Sequence, residues 1–176
     1  MLNTQDALIL GFIIYVLIEI IMIIKKVPIK RNLITSVFLL YIVCLVSIVF
    51  FPLPYKSQGY DLNYNFIPFN TIKEYILYDE NYSIRSIVGN VLLLVPWGLM
   101  FKIVFLKSDT KTFWCSTVAF CVSIEATQHI INLLIGYRYR CVDIDDFILN
   151  ITGAIIGSVL YSLLFKKIFK NNINYK

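Results

Sequence analysis

Acidic and amide side chains recur along this sequence inside stretches that are otherwise almost wholly apolar, and their spacing groups them. In the run Ser123-Ile-Glu-Ala-Thr-Gln-His129, a helical rotation of 100° per residue puts Glu125, Gln128, His129 and the following Asn132 on one face. A second run, Asp143-Ile-Asp-Asp146, leads to Asn150, Gly153 and Gly157. There Asp143, Asp146, Asn150 and both glycines share a face, while Asp145 points to its side. A third stretch aligns Ser86, Asn90 and Trp97. Three kinds of chemistry are open to such a set. Glu125, in apolar surroundings, could serve as a general base. Asp143, Asp145 and Asp146 could bind Mg²⁺ together with a lipid-linked phosphate, which makes Glu125 and Asp146 the catalytic candidates. Or the amides and carboxylates could line a pocket for a polar ligand. The nearby cations are Arg85, Arg138 and Arg140; Arg140, three residues before Asp143, could fork against the carboxylates.

What is missing narrows these choices. There is no nucleophile motif and no phosphate-binding loop. His129 is the one histidine, with no second imidazole or cysteine spacing to help it hold zinc. Neither a metal nor a cofactor is expected. Cys44, Cys115 and Cys121 lie in apolar runs and Cys141 in a connection, which reads as small buried hydrophobes and not as a disulfide framework.

The elements that position these groups follow from composition. The chain is 59% hydrophobic and 15% charged, with a mean hydropathy of +0.75. A soluble domain of 176 residues cannot bury that much apolar surface, so a bilayer must cover the rest. Five windows reach the roughly 20 apolar residues a span needs: about 7–24, 33–51, 86–106, 112–135 and 144–165. Helices are expected, because backbone groups in lipid must pair within their own segment, and the runs lack the alternation of a barrel strand. The first window has no basic leader and ends at Lys25-Lys26, so it reads as a retained helix. Pro96 should kink the third helix, and Gly153-Ala-Ile-Ile-Gly157 suits close helix packing. Glu19 and Lys102 fall at similar depth and suggest an ion pair between the first and third spans.

Basic residues divide between the two sets of connections. Lys25, Lys26, Lys30, Arg31, Lys107, Lys111 and the C-terminal lysines fall on one side. The positive-inside rule makes that side cytoplasmic, with the N-terminus outside and the C-terminus inside. The net charge of +5 is thus a topological signal, and no nucleic-acid partner is expected. A single domain covers residues 1–176. Its one long connection, Pro52 to Tyr82, is rich in Tyr and Phe and contains Thr71-Ile-Lys-Glu74, which reads as a capping box. A short helix lying on the outer leaflet is expected there. On these lengths Asn90 and Asn150 should lie within about two turns of the outer surface, with Glu125 deeper, near the bilayer centre.

At these residues the sequence resembles the VanZ-like family of bacterial membrane proteins. The matching pieces are Asn65-Phe-Ile-Pro-Phe69 with Thr71-Ile72, Gly89-Asn90 followed by Pro96 and Gly98, and Glu125 with Gln128. The last is Arg140-x-x-Asp143-x-Asp-Asp146-x-x-x-Asn150-x-x-Gly153. Together they run from about residue 65 to residue 157. Tyr139 stands where the family often has Gly, and Ser86 where it often has Asn; both bear on local loop geometry only.

The resemblance implies a link to teicoplanin-type glycopeptide resistance. The leading expectation is therefore an all-α membrane protein with an outward-facing polar pocket that binds an envelope component or amphiphile. Asn65, Asn90, Glu125, Gln128, Arg140, Asp143, Asp145, Asp146 and Asn150 would line it. Its partners would be the lipid bilayer and a cell-wall precursor or the glycopeptide. An integral membrane enzyme acting on a lipid-linked phosphate, and a purely structural polar network, are the alternatives.

Overall fold

The computed structural model describes residues 3–52, 64–78, 80–105, 108–135 and 142–165. Among these, five helices are long and apolar enough to cross a membrane: Thr4–Ile24, Ile29–Phe50, Ser86–Val104, Thr110–Ile135 and Ile144–Phe165. Each coincides with an expected window to within a few residues. The elements in chain order are α1 (Thr4–Ile24), α2 (Ile29–Phe50), β1 (Tyr64–Asn65), α3 (Asn70–Tyr78), α4 (Glu80–Val104), α5 (Thr110–Ile135), β2 (Val142–Asp143) and α6 (Ile144–Leu160). A π-helical turn, Tyr161–Phe165, extends α6. The chain divides into two compact units, Met1–Ser57 and Gln58–Lys176.

The first unit is the α1–α2 hairpin. Lys26 takes a positive φ of 53° and Pro28 stands at the N-cap position of α2, where its fixed φ costs no helical hydrogen bond. Gly11 lets the helices approach: a Cβ there would lie 2.6 Å from a methyl of Val43. Near the turn, Glu19 accepts hydrogen bonds from the Asn32 amide (3.0 Å) and the Ser36 hydroxyl (2.5 Å), so a carboxylate on α1 is clasped by two side chains of α2. This sets the hairpin register. The expected partner, Lys102, belongs to the second unit, where its ammonium lies 5.7 Å from the centre of the Phe113 ring. Glu19→Ala should therefore destabilise the hairpin by about 1–3 kcal/mol, because it leaves the part-buried Asn32 amide without this acceptor, while the Ser36 hydroxyl falls back on the Asn32 carbonyl. Glu19→Gln, which keeps an acceptor, should cost less; thermal unfolding in detergent compares the two.

The second unit is built on α4 and α6. They run parallel, since Gly153 meets Val91 and Gly157 meets Val95 one turn further along both helices. The contact is backbone to backbone. A Cβ on Gly98 would lie 2.1 Å from the Ala154 carbonyl oxygen, and on Gly153 or Gly157 it would lie 2.0 Å from those of Val91 or Val95. This is the close approach that small residues allow between membrane helices. α4 continues through Pro96. α5 runs antiparallel to both, its buried stripe made by Phe113, Thr117, Cys121, Ile124, Gln128 and Asn132. Trp97 of α4 donates to the Thr117 hydroxyl (3.1 Å) and stacks on Phe120, so its indole N–H has a partner inside an apolar seam. Before α5, the Thr112 side chain and backbone N–H hold the exposed Asp109 carboxyl below its ordinary pKa. Of the cysteines described, only Cys121 is buried; Cys44 and Cys115 are exposed, as a small hydrophobe on a lipid-facing surface can be.

Candidate functional site

The polar groups gather where α4 and α6 begin. β1 and β2 pair in parallel there, Tyr64 with Val142 and Asn65 with Asp143. Asp143 is the N-cap of α6: its carboxylate accepts from the Asp145 N–H (2.8 Å) and from the Asn65 amide (2.9 Å). The same Asn65 amide donates to Thr71 (2.8 Å), and its carbonyl oxygen accepts from the Ile67 N–H (3.1 Å). One side chain thus ties β1, β2 and the start of α3.

Asp145 has a different task. Its two oxygens accept from the backbone N–H groups of Phe69 (2.5 Å) and Ile72 (3.1 Å). Those donors are the residue before α3 and a residue of its first turn, which the local sequence leaves uncapped. The residue before α3 is Phe69, in a left-handed conformation with φ 65° and with no side-chain acceptor to offer. Asp145, only 1% exposed, supplies from another helix the cap that the local sequence lacks. The capping box expected at Thr71 and Glu74 does not form. The helix starts two residues earlier, at Asn70, Thr71 accepts from Asn65, and Glu74 accepts from Asn70 (3.1 Å). A sequence signal for Asp145 existed only in the family-like order of its neighbours, since nothing local to Phe69 announces a cap 76 residues away.

Asp146 and Asn90 are joined by a hydrogen bond across the α4–α6 seam. One turn further into α6, Asn150 is 2% exposed, and Gln128 and Asn132 are buried on α5. The carbonyl oxygens of Asn150 and Gln128 have no hydrogen-bond partner among the described residues. Glu125 accepts, at 3.4 Å, from the Asp143 N–H, which brings it level with the first residue of α6. This reverses the expected order of depth: Glu125 stands nearer the start of α6 than Asn150 does. The reason is length. α5 has 26 residues, about 39 Å at 1.5 Å each, against the roughly 30 Å of a hydrocarbon core, so its last turns run beyond the beginning of α6.

Of the expected pocket residues, Asn65, Asp143 and Asp145 form one linked set around β1, β2 and α3, and Glu125 adjoins it. Asn90 and Asp146 form a second contact. Asn150 and Gln128 lie in the packed interior. Arg140 and Arg138 lie outside the described residues, as does the side chain of Arg85. The three aspartates are not turned toward one common point. Each points to different partners, and among the described residues no group of three or more His, Cys, Asp or Glu side chains is arranged to hold a metal ion.

Beside this network is an open cavity of about 430 Å³. Its walls come from α5 (Val122, Glu125, Ala126, His129), from β1 and the residue after it (Tyr64, Phe66), and from β2 and the start of α6, including Ile144 and Phe147. His129 shares a helical face with Glu125 and joins the lining although it is not among the expected pocket residues. Here its Nδ1 lies 3.5 Å from the Tyr64 hydroxyl, and the two rings meet edge to face.

No curated protein and no solved structure matches the chain. A sequence model of one family does, over residues 38–166, which takes in most of α2 and every element of the second unit. The Asn65–Asp143, Asp145–α3 and Asn90–Asp146 contacts all fall within that match, and with it the chain is placed as a membrane protein belonging to the VanZ/LLP1 family.

Proposed function

We propose that this protein binds an amphiphile or another envelope component at the pocket that Glu125 shares with β1 and the start of α6. Through it, the protein lowers the action of teicoplanin-type glycopeptides at the surface of a bacterial cell. The pocket opens away from the cytoplasm, with the N-terminus outside, the C-terminus inside and α3 lying along the outer leaflet. The lysine-rich connections support that orientation. The observation that carries the reading is the position of Glu125. It is the carboxylate of the set that lines an open cavity while belonging to a membrane-spanning helix.

Expression in a susceptible host tests it. The wild-type chain should raise the inhibitory concentration of teicoplanin severalfold with a smaller effect on vancomycin, and Glu125→Gln should lose most of that rise at equal abundance in the membrane. No change for either drug, with the protein present, would remove the resistance reading.

A second reading is favoured by the capping geometry: Asn65, Asp143 and Asp145 are occupied by one another and by backbone N–H groups, as in a purely structural network. It expects Glu125→Gln to lower abundance and leave the effect per molecule intact.

A further inference from the structure

The cavity has a chemical character of its own. Apart from Glu125 and Asp143, already engaged with one another through the Asp143 N–H, its lining is aromatic and aliphatic except at the His129–Tyr64 pair. Its volume falls in the range of ~300–1,000 Å³ typical of small-molecule sites. Its position is equally specific. Val122, Ala126 and His129 belong to one membrane-spanning helix, and Ile144 and Phe147 to the first turn of another. The cavity therefore lies at the level where α6 starts and runs along α5 from Val122 to His129. The α5 surface that borders it, with Val118, Val122 and Ile130, is exposed and apolar, so the opening is continuous with the surface that lipid covers. A soluble ligand would have to displace hydrocarbon to enter; a lipid chain would only have to move sideways.

We infer that this cavity takes one hydrocarbon chain of a bilayer amphiphile, whose first polar group meets His129 and Tyr64. The inference deepens the proposed function by naming the class of ligand, and it rests on the same site. The chain lies between Val122 and Ala126 on one wall and Phe147 on the other. His129 engages Tyr64 through Nδ1 and has no partner for Nε2 among the described residues, which leaves a ring nitrogen for the polar group. An acyl lipid and an isoprenoid lipid share this chemistry, and the experiment separates them.

The test uses the full chain in phosphatidylglycerol nanodiscs with a diazirine-bearing palmitic acid as the photoprobe. Labelling should saturate and concentrate on the peptides that hold 122–129 and 144–147. Ala126→Phe, which fills the cavity, should reduce it severalfold, and so should Val122→Trp, which fills it from a residue already half exposed. Leu134→Trp, on the exposed α5 surface away from the cavity, should leave it unchanged. Displacement by lysophosphatidylglycerol would assign an acyl source, and displacement by farnesyl phosphate an isoprenoid one; either supports the inference. Unsaturable labelling spread over all lipid-facing helices, or cavity labelling that both filled variants retain, would overturn it. In that event a glycopeptide effect that still needs Glu125 would leave the broader reading standing. Saturable labelling with no glycopeptide effect would have the opposite meaning.

Discussion

Asp145→Ala should unfold the start of α3 and destabilise the second unit more than any other single change to the polar network. The carboxylate is almost fully buried and receives two backbone N–H groups of another helix. Hydrogen bonds to a charged acceptor contribute about 1.5–3 kcal/mol each, and truncation leaves both donors without a partner. A loss of about 3 kcal/mol or more is expected, a large fraction of the stability of a small protein. Asp145→Asn separates charge from geometry. It can keep one acceptor but turns an N–H₂ group toward the other donor, so it should fall between alanine and wild type. Thermal unfolding in detergent gives the stability order, and limited proteolysis within residues 64–78 reports whether α3 has come loose. If Asp145→Ala melted with the wild type and α3 stayed protected, the cap would not be what holds this segment.

The sequence made the helices legible because a membrane span is a matter of length and apolarity, and both can be counted. It also made the α4–α6 seam legible in part, through the spacing of Gly153 and Gly157, though not its partner residues Val91 and Val95. The site was harder to read. Helical periodicity groups Asp143 with Asp146 and Asn150 and treats Asp145 as peripheral, whereas in the structure Asp143 is linked to Asp145 and Asp146 turns to Asn90. In the structure Asp145 is the most buried carboxylate described, because a neighbouring segment folds over it. Periodicity within one helix carries no information about what another segment lays against it. The level of Glu125 was misjudged for a related reason. Counting residues from the end of α5 assumes that all helix ends lie in one plane, and the hydrogen bond from Asp143 shows that α5 overshoots. His129 and the apolar cavity stayed out of view because Tyr64 and Phe66, which complete them, sit in a connection with no periodicity to follow.

The other large effect belongs to the seam that carries Asn90 and Asp146. Gly153→Ala adds a single methyl group, yet that carbon would lie 2.0 Å from the Val91 carbonyl oxygen and 3.4 Å from its Cα. Backbone cannot rotate aside as a side chain can, so the helices must separate along their length. Over-packing of this kind costs about 1–3 kcal/mol, occasionally more. Here the separation also pulls on the Asn90–Asp146 hydrogen bond, since Asn90 is the residue before Val91. Gly89 supplies the control on the same helix. A Cβ there meets nothing within 4 Å, so Gly89→Ala should be neutral or should stabilise by up to about 1 kcal/mol through helix propensity alone. The two alanines should therefore move the melting temperature in opposite directions, or one of them strongly and the other hardly at all. A double mutant of Gly153→Ala with Asn90→Ala should lose less than the sum of the single losses, because a separated seam has already weakened what Asn90 holds. Full additivity would mean that the glycine contact and the polar pair act independently, and that the close approach of α4 and α6 does not position the site.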